Sequence, residues 1–241
     1  MAPVPGRADM RVLAFDTALG ACSAALFEDG VIRARRFERR ARGHAEALLP
    51  MVEAVRTEAG IAYSDLDLLA VTVGPGTFAG LRIGLAAARG LALAVGLPLM
   101  GLTTLEAIAA AAGETAGADT LLAAIDARRA EIYAQAFAAD LSPLAPPGVL
   151  TPAAALALLP RGRGLVVGSG ARRIRDAVEG TPAGLVFRDE PAEPDAAVIA
   201  SLAAERAARH GLPPAGAEPP SPLYLRPPDA RLPEGARRGD P

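Results

Sequence analysis

Lysine is absent from this 241-residue chain, so all 25 of its basic side chains are arginine. A Walker-type phosphate loop needs a lysine for the terminal phosphates, and Schiff-base chemistry needs one as nucleophile, so both are excluded. Cysteine is nearly as scarce: Cys22 alone permits no internal disulfide and no multi-cysteine metal centre. Two histidines, His44 and His210, are too few for a zinc site of several imidazoles, which leaves only carboxylate sites for a metal. An excess of positive charge is also missing. The formal net charge of −2 argues against a free-standing nucleic-acid binder, which gains affinity by releasing counterions from phosphates. The longest apolar stretch, 78–95, is interrupted by Arg82 and Arg89, each costing about 2.5–3.5 kcal/mol at a bilayer centre, so a buried helix is expected there and no membrane partner. The segment 1–11 carries Pro3, Pro5 and Gly6 and lacks the basic-then-apolar order of a secretory signal, so a cytoplasmic location is expected.

What is present is apolar: 51% of the residues are hydrophobic in the broad sense. A chain of this length buries roughly 70–75% of its unfolded surface, enough for one domain or two small lobes without disulfides. Short apolar runs at 12–15, 22–27 and 31–37, the second ended by Asp29-Gly30, read as a strand meander. The spacing then turns helical over 43–58, with Ala45, Leu48, Leu49, Val52 and Val55 on one face and a kink expected at Pro50. A buried strand over 66–73 leads through Gly74-Pro75-Gly76 into a second helix over 77–95, with Thr77 as N-cap. The apolar segment 99–102, a helix over 104–112, a hairpin of 121–125 with 131–137, a proline-rich link over 142–152, a strand over 165–168 and a helix over 195–210 complete the pattern. The expected organisation is an N-terminal lobe over 9–112, a C-terminal lobe over 119–210 and a loosely ordered tail over 211–241. No internal repeat of short fixed period is visible.

Two helices carry more apolar surface than a monomer needs. Besides its first face, the 43–58 helix presents Ala47, Met51 and Ala54, and the 77–95 helix has only Arg82 and Arg89 as charged positions. Gly80 and Gly84 share a face and admit another backbone. Either both faces pack within the chain or one meets a partner. The glycine turn likewise has two readings, a simple chain reversal or an anion site at a helix N-terminus. Asp16, with Thr17 beside it, either caps its own turn or helps hold a metal-bound phosphate together with Gly74, Gly76 and Thr77. Ser23, Ser64 and His44 have no readable partners for nucleophilic catalysis.

Five segments together resemble the bacterial TsaB family: VLAFDTALGACSAAL from Val12, GHAEALLP from Gly43, AVTVGPGTFAGLRIGLAAARGLALAVGLPLMGLTTLEAIA from Ala70, IDARRAEIYAQAF from Ile125 and PLYLR from Pro222. Ala79 stands where the family commonly has threonine. The resemblance implies an α/β, actin-like and sugar-kinase-like fold of two lobes, with mixed sheets and flanking helices. It implies a role in making threonylcarbamoyladenosine in tRNA, as a degenerate relative of the transferase TsaD. The paired metal-binding histidines of TsaD are replaced here by Thr104 and Ile108, so no catalytic residue, no metal and no cofactor of the chain's own are expected, ATP or ADP entering only in a complex. The implied partners are TsaD, a second copy when alone, the ATPase TsaE in a larger assembly, and tRNA indirectly. The implied interface is His44, Ala47, Leu48 and Met51 on the first helix with Phe78, Gly80, Leu81, Arg82, Gly84, Leu85 and Arg89 on the second. The competing reading is an ATP-dependent phosphotransferase using Asp16 and the glycine turn.

Overall fold

The computed structural model describes residues 10–113, 117–128, 130–160, 162–177, 184–214 and 216–226. Arg129 of the expected hairpin turn and the tail beyond 226 lie outside the described residues.

The first sheet is built from β1 (Arg11–Asp16), β2 (Ala21–Glu28), β3 (Val31–Arg39), β4 (Leu68–Gly74) and β5 (Leu99–Thr103), with α1 (His44–Ala59), α2 (Phe78–Val95) and α3 (Thr104–Ala111) following β3, β4 and β5. Its order is β3-β2-β1-β4-β5, antiparallel through β1–β2–β3 and parallel through β1–β4–β5. The second sheet uses β6 (Thr120–Asp126), β7 (Ile132–Ala138), β8 (Gly148–Leu150), β9 (Gly164–Val167) and β10 (Leu185–Arg188), with α4 (Pro152–Leu156), α5 (Ala171–Asp176) and α6 (Ala196–His210) in the corresponding places. Read from β8, its order is β8-β7-β6-β9-β10 with the same strand directions. The three-strand meander, two parallel strands and three interleaved helices therefore occur twice, as the actin-like expectation requires. The repeat is one of topology, which no short-period sequence match exposes.

Alternation along β1 divides the first core. Leu13 and Phe15 face α1 and α2, joining Leu48, Met51, Val52, Val55, Leu85 and Ala88. Val12 and Ala14 face the other way, onto α6. That helix offers Ala196, Ile199, Ala200, Ala203, Ala204 and Ala207, a stripe at i, i+3, i+4, i+7, i+8 and i+11 whose small side chains let it lie close to the sheet. Asp195 caps it, accepting from the Ala197 N–H at 2.9 Å. Meanwhile Leu105, Ile108 and Ala109 of α3 pack with Leu121, Ala123 and Leu165 of the second sheet.

The lobes thus exchange their third helices, and this corrects the expected boundaries. The 119–210 segment does not fold as a separate unit, because α6 completes the first lobe. Nor does 9–112, because α3 fills the second. The tail is corrected too: 219–226 is held against both lobes by hydrogen bonds described below. Two short strands, β8 and β10, and the short helix α4 lie in segments read as link or left unassigned. α1 runs unbroken through Pro50, whose ring is exposed. The outer edge, β3, is guarded by arginines paired to carboxylates, Arg35 to Asp195 and Arg39 to Glu190 among them, which discourages strand addition by another chain.

The glycine turn and the outward faces of two helices

The strand-to-helix turn after β4 is as the sequence reads it. Thr77 Oγ1 accepts from the Gly80 N–H at 3.1 Å and begins α2. Thr77→Ala leaves that N–H without its partner, and an urea titration should show a loss of about 1 kcal/mol; an unchanged midpoint would mean that the cap contributes nothing.

At the turn the chain's own β1–β2 turn packs against the start of α2: the Thr77 N–H donates to Ala18 O at 2.8 Å, and Thr17 Oγ1 donates to Gly80 O at 2.7 Å. A Cβ at Gly76 would stand 2.5 Å from Ala18 O, one at Gly80 2.1 Å from Thr17 O, and one at Gly84 2.8 Å from Thr17 Oγ1. These glycines admit a backbone closely, as expected, but it is the chain's own. Gly74, with φ of 113°, ends β4 in a conformation that favours glycine. Gly168, with φ of 106°, does the same at the end of β9, where a Cβ would meet Ala124 O at 2.3 Å. The duplicated topology carries a duplicated turn.

Asp16 is fully buried. Its Oδ1 accepts from the Ala18 N–H at 3.1 Å, capping its own turn, and from the Thr72 hydroxyl, while Oδ2 has no partner. Burial pushes its pKa up to about 7, aided by the charges of Glu193 and Asp195, against the lowering effect of the two hydrogen bonds. The carboxyl thus caps its own turn through Oδ1. Thr104 and Ile108 are buried as well. Among the described residues there is no group of three or more His, Cys, Asp and Glu that could hold a metal.

The expected interface set divides sharply. Leu48, Met51, Leu81 and Leu85 are buried in the chain's own core, as are Gly80 and Gly84. Ala47 is half-buried against the same core, and His44 is half-buried with Nε2 unpartnered. The six buried residues offer no open surface to a partner and the interface expectation is corrected for them, whereas His44 and Ala47 stay partly exposed. Phe78, Arg82 and Arg89 are exposed as expected. Only five of the eighteen residues of α2 are buried, although the helix is apolar enough to cross a membrane by length and composition. Its outward face is Ala79, Ala86, Gly90, Leu93 and Ala94, with Leu93 87% exposed. On α1 the exposed apolar residues are Ala45, Leu49 and Ala54. An all-round apolar helix such as α2 carries no periodicity that marks Leu93 as outward, and Leu49, which the spacing puts on one face with Leu48, Val52 and Val55, points outward instead, 54% exposed. The short strip of charge on α1, Glu46 and Glu53, is the one signal that marks its outer side.

Comparison with known proteins agrees with this geometry. A family model described as TsaD, tRNA N6-adenosine threonylcarbamoyltransferase, matches residues 38–172. The tRNA threonylcarbamoyladenosine biosynthesis protein TsaB of Escherichia coli K12 is 48% identical over 124 residues, 52% of this chain and 53% of that protein, and its Haemophilus influenzae counterpart is 38% identical over 125 residues, 52% of each. The matched region thus spans about half the length of these curated relatives. The solved structure of YeaZ from Pseudomonas aeruginosa superposes with a TM-score of 0.78 at 32% identity, over 90% of this chain and 100% of that one. A family-model match over more than half the chain and a structural match over 90% of it place the protein: it belongs to the TsaD-like family and, within it, to the TsaB branch that YeaZ represents.

Proposed function

We propose that the protein is a non-catalytic subunit that pairs with TsaD and supports threonylcarbamoyl transfer to the adenosine next to the anticodon in tRNA. The observation that carries this reading is the outward face of α2, an apolar helix with most of its surface uncovered. A contiguous apolar strip on a folded chain is an association surface before it is anything else. Ala79, Ala86 and Gly90 are small enough for a facing helix to approach closely, and Leu93 and Leu49 supply knobs for it. In this reading the same strip closes on a second copy when TsaD is absent, TsaE joins the heterodimer, and tRNA is met through TsaD. The chain works in the cytoplasm and brings no cofactor of its own, ATP or ADP belonging to the complex. A phosphotransferase reading has no support from the glycine turn, which is filled by residues 17 and 18.

The test is co-expression with the matching TsaD and gel filtration of Ala86→Glu and Leu93→Glu. Both positions are exposed, so thermal unfolding of the isolated chain should be unchanged, while a carboxylate buried at the contact without a partner should weaken pairing at least tenfold. Undiminished co-elution of both variants would sink the interface.

A further inference from the structure

Residues 219–226 touch both lobes at once. On the first lobe, the Leu223 N–H donates to Val73 O at 2.7 Å, Arg89 Nη2 donates to Pro220 O at 2.7 Å, and Arg82 Nε donates to the Tyr224 hydroxyl at 3.1 Å. Tyr224 also stacks on Phe78, ring centroids 5.5 Å apart. On the second lobe, Arg226 Nη1 donates to Ala127 O at 3.2 Å, and its guanidinium pairs with Glu131 and lies 5.9 Å from the centre of the Tyr133 ring. These are groups of the β6–β7 turn and of β7 itself. The seat is shaped for the segment: a Cβ on Gly74 would come 2.9 Å from Leu223 O, and one on Gly101 2.8 Å from Pro220 Cβ.

The chain itself crosses between lobes twice, through α3 into β6 and from β10 into α6. Two crossings leave a hinge motion available, as in other two-lobed folds where a few residues between rigid bodies absorb the change. We infer that residues 219–226 form an interlobe latch, a non-covalent tie that helps set the angle between the two sheets by anchoring the β6–β7 turn to α2. Its contacts are surface hydrogen bonds, one ion pair and one ring stack, each weak by itself, so the latch releases as a unit without unfolding either lobe. Phe78 and Arg82 serve both as latch seats and as part of the uncovered side of α2, so whatever covers that helix meets the latch directly. That consequence rests on the partner reading, whereas the latch belongs to the isolated chain.

The experiment uses the full chain with Cys22→Ala and spin labels at Thr57→Cys on α1 and Arg172→Cys on α5, one exposed position per lobe. Arg226→Ala and Tyr224→Ala should each at least double the width of the measured distance distribution. Hydrogen exchange supplies the second readout. In Tyr224→Ala, altered where the latch sits on the first lobe, amides of 127, 128 and 130–132 on the second lobe should exchange at least tenfold faster. Unchanged distance distributions in both variants would overturn the latch, and so would exchange gains confined to residues 222–226. Neither readout involves TsaD, so the latch and the partner reading fail separately.

Discussion

Asp16→Asn is expected to be more stable than the parent protein above neutral pH and to lose most of the parent's dependence on pH between about 4 and 7. The folded-state pKa of Asp16 lies near 7, raised from 3.8 chiefly by burial. Between those values the folded chain holds a proton that the unfolded chain has released, so stability is fully present below the unfolded value and falls as pH rises towards 7. A shift of about three units corresponds to roughly 4 kcal/mol of stability lost by pH 8. Asparagine keeps the acceptor that serves Thr72 and the Ala18 N–H but puts an unpaired amide where Oδ2 now lies, which returns about 1–3 kcal/mol of cost. The net gain at pH 8 is then on the order of 1–3 kcal/mol, with a loss at pH 4 of similar origin. Urea titrations of both proteins at pH 4, 6 and 8 decide the matter: parallel pH profiles would show that the carboxyl does not titrate as its burial dictates.

Gly80→Ala should be among the most damaging single methyls at the described glycines. Its Cβ would stand 2.1 Å from Thr17 O and 2.6 Å from Thr77 Oγ1, and the first of these is backbone that no rotamer change can move aside. Relief requires the β1–β2 turn to lift off the start of α2, breaking the Thr77–Ala18 and Thr17–Gly80 hydrogen bonds together. Overpacking of this kind costs typically 1–3 kcal/mol, and the lost pair of bonds places this site at about 3 kcal/mol or above. Gly90→Ala makes the comparison, since nothing lies within 4 Å of its added Cβ and a helix gains about 1 kcal/mol from alanine over glycine. Opposite shifts in melting temperature are expected for the two. A Gly80→Ala protein as stable as the parent would mean that the turn yields more freely than its hydrogen bonds allow.

The legible parts of the fold were those whose physics is local. The meander with its turn at Asp29-Gly30, the Thr77 cap and the β6–β7 hairpin all declare themselves through spacing and cap chemistry, and all are present. The exchange of α3 and α6 was not legible, because an alanine stripe says that a helix packs closely on something but does not name the sheet. The same limit governed the two apolar helices. Leu48, Met51, Leu81 and Leu85 look no different in sequence from Leu49 and Leu93, and it is the docking of Ala18 on Gly76 and Thr77 and of Thr17 on Gly80 that fixes which side of α2 turns inward. Short strands such as β8 escaped for another reason: Gly148 to Leu150 sits among prolines and offers too few residues for alternation to register.

The exchanged helices also set a timetable for synthesis. The first sheet is complete in sequence at Thr103, yet the helix that covers its second face begins only at Ala196. Translation at about 5–20 residues per second leaves Val12, Ala14, Leu68 and Ala70 uncovered for on the order of ten seconds after their strands have emerged. The nascent chain therefore passes through a stage in which the strands of the first sheet are all made while one apolar side still lacks the helix that will cover it.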